Sequence, residues 1–212
     1  MRLVVPSSTS LTKLRPASLV DFFWEFARAE VQNDSRHDRK YSRRLGPDLF
    51  ARVRLGKKDG LDRSDRALVR STVLSTRPEY LRPLSRLGLR WFYGELPPRE
   101  LPKLLVPDLN IFKPTAPSRL LRDFASALDR GAPTLWPPVA RNYRRMLPRF
   151  DPLRMVGVPI VIGTYLRGPF TIVEGLTRLS VLCSRFSSGK ALPPRVRLLI
   201  GKGRAAAKWQ FF

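Results

Sequence analysis

The sequence predicts an α+β protein in which a helical amino-terminal half, residues 1–105, precedes a small mixed-sheet domain over residues 106–212. In the first half, apolar residues recur at three- and four-residue spacing between loops marked by proline and glycine. After Val156, short β-branched runs bounded by glycines replace that pattern. The chain has 212 residues, of which 43% are hydrophobic, so it can bury a core and disorder throughout is excluded.

The first helix is expected over residues 18–31, with Ser18 as its cap and Leu19, Phe22, Phe23, Phe26 and Glu30 on one stripe. Trp24 and Glu25 lie off that stripe. Further helices are expected over residues 47–55, 64–77 and 80–93, the last interrupted by proline and glycine, so everything to about residue 105 is predicted to be helical. Two more helices are expected over residues 117–131 and 138–150.

Two basic segments are candidates for binding nucleic acid. The polar run 34–44 has no apolar period, which indicates a loop or a solvated helix face, and its phosphate-contacting candidates are Arg39, Lys40, Arg43 and Arg44. The helix over 138–150 offers Arg141, Arg144 and Arg145 to a phosphate backbone, with Tyr143 available for stacking. For the 34–44 run a solvated face without a partner is the favoured interpretation, whereas for the helix over 138–150 a solvated surface and a binding surface are equally good explanations.

The second half contains the predicted strands. Residues 158–165 and 170–173 are expected to pair as a hairpin around a turn at residues 167–169, and residues 195–200 form a third strand. Between them a helix is expected over residues 177–186, with Leu179, Leu182 and Phe186 on one face.

Charge and rare residues limit the function classes. Forty Lys and Arg against 17 Asp and Glu give a net charge of +23, which favours a polyanionic partner such as nucleic acid, although arginine-rich composition alone accounts for part of it. One cysteine and one histidine exclude an internal disulfide framework and multi-cysteine zinc sites. No apolar run reaches the length of a membrane span, and no secretory leader is present, so a cytoplasmic protein without a membrane partner is expected.

The most informative stretch is residues 172–182, where a strand, Glu174, a glycine turn and a helix follow one another. A helix amino terminus carries unpaired N–H groups and a partial positive charge, and Gly175 lets the backbone approach a ligand. Gly175, Thr177 and Arg178 are therefore candidates for binding phosphate, and Glu174 is the candidate that ligates Mg²⁺ or accepts a proton as a base. Arg145 and Lys202 are further candidates for contributing positive charge to this site. The alternative is that Thr177 caps the helix while Glu174 and Arg178 form an ion pair.

Residues 173–180 resemble the phosphate-binding box of the ParB/sulfiredoxin-like fold, which in plasmid-partition ParB proteins holds the phosphates of CTP. They resemble more closely the Asp-Gly-Gln-Gln-Arg box of restriction and phage-defence proteins, with Glu174 in place of the aspartate and Thr177 in place of the second glutamine. The resemblance covers residues 107–203 and implies nucleotide binding with hydrolysis. A further relative, the ParB-like free-serine kinases, implies a glutamate base in phosphoryl transfer. Leu176 stands where sulfiredoxins need a cysteine, and Ser180 stands where ParB proteins carry a second arginine.

The leading hypothesis is therefore a nucleotide- or phosphate-binding protein that acts on or beside nucleic acid, in plasmid, phage or defence biology. NTP and Mg²⁺ are its expected cofactors. One alternative is an NTPase or NTP-dependent phosphotransferase that uses Glu174 as base. Another is a basic DNA-binding adaptor without catalysis.

Overall fold

A mixed β-sheet runs through the centre of the protein and separates two layers of helices. The computed structural model describes residues 11–32, 38–132, 137–152 and 155–212. Within them, the strands are β1 (Thr12–Ala17), β2 (Arg90–Leu96), β3 (Ile160–Gly163), β4 (Thr171–Glu174) and β5 (Val196–Lys202). The sheet order is β1-β2-β5-β3-β4. β3 and β5 are parallel, and every other neighbouring pair is antiparallel.

The helices described are α1 (Leu19–Gln32), α2 (Asp38–Leu55), α3 (Arg63–Thr76), α4 (Pro78–Ser85), α5 (Leu121–Asp129), α6 (Pro137–Met146) and α7 (Leu176–Ser187). Two 3₁₀ segments, Pro98–Lys103 and Arg204–Lys208, follow β2 and β5. None of the helices in the described ranges is long and apolar enough to cross a membrane.

Alternation along the strands assigns each helix to a layer. Ile160, Ile162 and Leu199 pack with α1–α4, whereas their neighbours Val161, Leu198 and Ile200 pack with α5–α7. Successive strand residues point to opposite faces, so each buried strand supplies both cores. The two layers therefore share one sheet.

α1 is more completely buried than its predicted stripe implies. Trp24 and Glu25, expected off the stripe, are 2% and 5% exposed. α1 is covered by α2 and α3 as well as by the sheet, where the Phe22 ring stacks on Trp91 at a centroid distance of 4.7 Å. The predicted Ser18 cap is confirmed: the Asp21 N–H donates to Ser18 Oγ, and the Ser18 N–H donates to the Asp21 carboxylate.

The first half is not wholly helical, which corrects the prediction for residues 1–105. β1 and β2 both belong to it, and β2 pairs with β5 along its whole length, so the sheet crosses the predicted boundary at residue 105. The helix expected over residues 80–93 ends at Ser85. Leu81, Leu84, Leu87 and Trp91 follow helical spacing, but pairing with the buried strand β5 satisfies the backbone of residues 90–96 instead.

Most other elements are confirmed with shifted ends. The β3–β4 hairpin, the following helix, the last strand and the helices at 121–129 and 137–146 are present. The 34–44 run is helical from Asp38 and continues past a break at Gly46 into the predicted helix that starts at Pro47. Gly46 has φ +73, which interrupts the helix, so α2 consists of two helical segments. Residues 34–37 of that run lie outside the described residues.

Candidate functional site

The acidic-glycine-arginine stretch, residues 173–180, which we call the box, forms the predicted strand, turn and helix. β4 ends at Glu174, Gly175 turns the chain with φ +88, and α7 begins at Leu176. A Cβ on residue 175 would come within 2.9 Å of the Pro159 Cβ, so both the backbone angle and the packing require glycine. Within the described part of the chain no side chain caps α7, and Thr177 lies half-buried in its first turn rather than at its cap.

Arg178 is held by groups of the protein itself. Its Nη2 donates to the Glu174 carboxylate, and its Nη1 donates to the carbonyl oxygens of Val156 and Gly157, the latter at 2.8 Å. The residue is only 6% exposed, and its Nε is buried without a hydrogen-bond partner. The ion-pair alternative is therefore present in the structure, and any ligand of Arg178 must compete with Glu174.

A second acid–base pair lies beside the first. Arg77 Nη2 donates to Glu30 Oε1 at 2.8 Å, and both residues act electrostatically on Glu174. We call Glu30, Arg77, Glu174 and Arg178 the buried charge cluster. It joins α1 and the α3–α4 junction to the turn before α7, so it links the first half of the chain to the second.

Burial raises the pKa of the Glu174 carboxyl above its ordinary value, and the nearby Glu30 raises it further. Arg178, Arg77 and a hydrogen bond from the Gly175 N–H oppose the rise. A carboxyl whose pKa is raised can exchange a proton closer to neutral pH, which is the property required of a general acid or base.

Lys202 does not lie beside the box. This corrects the expectation that the end of the last strand and the box form one site. Glu174 pairs with Ile160 at the start of β3, whereas Lys202 pairs with Gly163 at its end. The two pairs are three residues apart along β3, which corresponds to about 10 Å. The hairpin reverses the chain, so the last residue of β4 and the last residue of β5 lie beside opposite ends of β3.

The basic residues expected to bind nucleic acid lie in two different layers. On α2, Arg39, Arg43 and Arg44 are exposed, but Lys40 turns inward and its Nζ donates to the Ser75 carbonyl at 2.7 Å in the last turn of α3. Helix α2 packs with the first core and α6 with the second, on the other side of the sheet. The two basic segments therefore do not form one surface.

α6 exposes Arg141, Arg144 and Arg145 and buries Tyr143. The Tyr143 hydroxyl contacts the Asp129 carboxylate and lies 2.6 Å from Ser184 Oγ. Tyr143 is 1% exposed, so the expectation that it stacks on a base is wrong. Because α6 meets α7 at Ser184, about two turns beyond the box, Arg145 is not part of the Glu174 turn.

Phe186 is 39% exposed rather than on the core face of α7. It lies in a groove of about 520 Å³ that sequence reasoning missed, which we call the proline groove. Its lining residues are Pro97, Pro98, Arg99, Phe186, Gly189, Lys190, Leu192, Pro193, Pro194 and Arg195. The only sequence signals were the two Pro-Pro pairs, whose proximity depends on the pairing of β2 with β5.

An apolar cavity of about 340 Å³ lies between α1 and α3, lined by Phe23, Trp24 and Val69 among others, with Arg66 and Arg70 at its edge. It shares no residue with the box. Cys183 is buried, and burial raises the pKa of its thiol to about 12, which fits the packed role expected for it.

The described residues contain no group of three His, Cys, Asp or Glu side chains that could hold a metal ion. The Glu174 carboxylate contacts Arg178, so side chains near the box do not form a Mg²⁺ site by themselves. A Mg²⁺ ion there would need to bind with a nucleotide that supplies most of its oxygen ligands.

Comparison with known proteins adds no family assignment: no protein-family model matches the chain, and neither a curated protein nor a solved structure matches it. The resemblance of residues 173–180 to the ParB/sulfiredoxin-like box stays a prediction that rests on those residues and on the strand, glycine turn and helix around them.

Proposed function

We propose that the protein binds nucleic acid through the phosphate backbone and acts as a basic binding protein. The observation that carries this proposal is the surface of α6, where Arg141, Arg144 and Arg145 are exposed on a helix that contains no acidic residue. Residues spaced three and four apart share one helix face, and guanidinium groups form paired hydrogen bonds with phosphate oxygens.

The charge of the whole chain supports the same partner. Even if every carboxylate were paired with a cation, 23 positive charges would remain. Such a surplus attracts a polyanion over long distances and makes binding strongly dependent on salt. The exposed arginines of α2 form a second contact area for the same partner on the opposite side of the sheet.

Anchoring of α6 gives its arginines a defined position. Tyr143 fastens the helix to Asp129 of α5 and Ser184 of α7, and Val139 packs into the second core. A binding surface on a fixed helix loses less conformational freedom when it meets its partner than a surface on a loose segment does.

The experiment is a binding titration with fluorescently labelled DNA at several salt concentrations. Wild-type protein should bind, with an affinity that falls steeply as salt rises. Replacing Arg141, Arg144 and Arg145 together by alanine should weaken binding and reduce the logarithmic salt slope by about 2–3, because each lost phosphate contact lowers it by about 0.7–0.9.

A matched control removes three other exposed arginines, Arg63, Arg66 and Arg70 of α3, which changes the net charge equally. It should retain a steeper salt slope than the α6 variant. Equal losses in the two triple variants would mean that only net charge matters. Absence of DNA and RNA binding by the wild-type protein would refute the proposal.

A second candidate function is binding of a nucleotide phosphate at the start of α7. Two observations favour it: the first turn of α7 has no side-chain cap, and the buried Nε of Arg178 has no partner. A phosphate would replace Glu174 on the Arg178 guanidinium, and the released carboxylate, with its raised pKa, could then accept a proton from an attacking hydroxyl.

Arg178→Ala and Glu174→Gln test this candidate against the first. If the box binds nucleotide, folded samples of Arg178→Ala do not bind a labelled NTP, while Glu174→Gln retains binding and loses turnover. If only the basic surface functions, folded samples of both variants bind DNA as the wild type does. No nucleotide binding by the wild type at millimolar concentration would eliminate the second candidate alone.

A further inference from the structure

The proline groove combines an exposed aromatic ring with three cations. Phe186 is 39% exposed and stands among Arg99, Lys190 and Arg195, and none of the described residues that line the groove carries a carboxylate. Tyr165 is the only other aromatic among the large apolar side chains found exposed in the described residues, and it does not line the groove. The groove thus brings one exposed ring and three cations from different elements together on one concave surface.

The end of α7 fixes the spacing of the ring and one cation. The Lys190 N–H donates to the Arg185 carbonyl at 2.9 Å, and the Gly189 N–H donates to the Phe186 carbonyl at 3.1 Å. With Gly189 at φ +67, this is the Schellman arrangement that commonly terminates helices. The backbone of Lys190 is therefore fixed just beyond the last turn of α7, which carries Phe186.

The other two cations come from neighbouring elements. Arg195 precedes β5 and its guanidinium donates to Thr12 Oγ1 at 2.9 Å, so it is positioned at the sheet edge. Arg99 is the second residue of the 3₁₀ segment after β2; its side chain is 73% exposed, and its Nε lies 3.9 Å from the Glu100 carboxylate. Four prolines stiffen the walls, which limits how far the groove can close or rearrange.

We infer that the proline groove binds a single-stranded segment of nucleic acid, with a base stacked on Phe186 and the adjoining phosphates on Arg99, Lys190 and Arg195. This inference rests on the proposed function and adds a site to it. Aromatic rings interleaved with cations bind single strands because every base offers a flat face once it is unpaired. A duplex keeps its bases stacked internally and cannot use the ring.

The groove and α6 adjoin different faces of α7. Ser184, which contacts Tyr143 of α6, is two residues before Phe186, and residues two apart project about 200° apart around a helix. The groove is therefore a site separate from the α6 arginines.

The test measures binding of a labelled oligothymidine and of a duplex of equal length, about 20 nucleotides, across salt concentrations. Phe186→Ala should weaken single-strand binding about tenfold, leave its salt slope unchanged and leave duplex binding unchanged. Phe186→Trp should restore the affinity, whereas Phe186→Leu, which keeps apolar packing without a large flat ring, should not.

Charge removal should have the complementary effect. Replacing Arg99, Lys190 and Arg195 by alanine should lower the single-strand salt slope by about 2, since each phosphate contact contributes about 0.7. Tyr165→Ala is the matched control for Phe186→Ala, because Tyr165 is 58% exposed and lies outside the groove. It should not alter binding.

The outcomes separate this inference from the proposed function. If the wild type binds single strands and Phe186→Ala binds them within about twofold of it, the groove is not the site, although nucleic-acid binding stands. If an acidic peptide of equal charge binds as tightly and is equally sensitive to Phe186→Ala, the partner is a protein and the inference is wrong. If the wild type binds no nucleic acid, both proposals fail.

Discussion

Arg178 of the buried charge cluster and Arg141 of α6 have the same side chain in opposite surroundings. Arg178 is 6% exposed and donates to Glu174 and to two backbone carbonyls, whereas Arg141 is exposed on a helix without acidic residues. The hydrogen bonds of Arg178 therefore stabilise the fold. Arg141 contributes little to the fold and is available to a partner.

This difference shows that the basic residues behind the +23 charge fall into two groups, those paired inside the protein and those exposed on its surface. Arg77, Arg178 and Lys40 are satisfied internally by Glu30, Glu174 and the end of α3. The arginines of α6 and the cations of the proline groove are presented outward. Variants in the two regions should consequently separate stability from binding, and the following predictions are ordered by the size of the expected effect on stability.

The largest effect is expected for Arg178→Ala. It leaves the Glu174 carboxylate buried without its nearest cation, which typically costs about 3–5 kcal/mol. Chemical denaturation should report the loss, and it should be smaller at pH 5 than at pH 8, because an unpaired carboxyl can be protonated. A loss below about 1 kcal/mol at pH 8 would show that Arg178 is free to bind a ligand instead.

Gly175→Ala should be the next most damaging. Alanine must adopt φ +88 and bring its Cβ within 2.9 Å of Pro159, for a combined cost of about 2–3 kcal/mol. Gly189→Ala is the matched control: its φ is +67, but a Cβ there meets nothing within 4 Å, so only the backbone cost of about 1 kcal/mol applies. Equal losses in thermal melts would contradict the close approach at Gly175.

The pH dependence of the free energy of unfolding should show the raised pKa of Glu174. Its pKa in the folded protein lies above the ordinary 4.5, so the folded state binds more protons than the unfolded state just above pH 4.5. Stability contributed by this group therefore falls as pH rises from 4.5 through the folded pKa and then levels off. Glu174→Gln should remove that decline. An unchanged pH profile in the variant would contradict the raised pKa.

The smallest effect on stability is expected for the α6 arginines. Alanine at 141, 144 or 145 should each change the free energy of unfolding by no more than about 0.5 kcal/mol, because these side chains are exposed. Nucleic-acid affinity should nevertheless fall in the same variants. A large destabilisation of the triple variant would show that these arginines serve the fold, and the contrast with Arg178 would disappear.

Local patterns predicted much of the second half of the chain. The β3–β4 hairpin, the glycine turn and α7 were foreseeable because β-branched runs, glycine and helical spacing are neighbours in sequence. β2 was not, because the helical spacing of Leu84, Leu87 and Trp91 competes with the two-residue alternation of Leu87, Leu89 and Trp91. Its structure depends on pairing with β5, about one hundred residues later.

The same limit applies to the candidate site. Glu174, Gly175 and Arg178 are close in sequence, so their ion pair could be predicted as one of two alternatives. Their neighbours Glu30 and Arg77 could not, since they come from helices packed against the box only in the folded chain. The environments of two aromatic rings are the reverse of those predicted. Tyr143, expected to stack on a base, is buried, and Phe186, expected in the core, is exposed.

By itself, the amino-acid sequence determined the surplus of positive charge, the limits on metal and disulfide chemistry, and the strand–turn–helix around Gly175. These properties depend on composition or on residues within one turn of each other. Only the tertiary structure decided which arginines are internal, at which end of β3 Lys202 lies, and where an aromatic ring meets the cations of the proline groove. Those properties depend on β2 and β5 pairing into one sheet with helices on both faces, and contacts between distant residues leave no local period in the sequence.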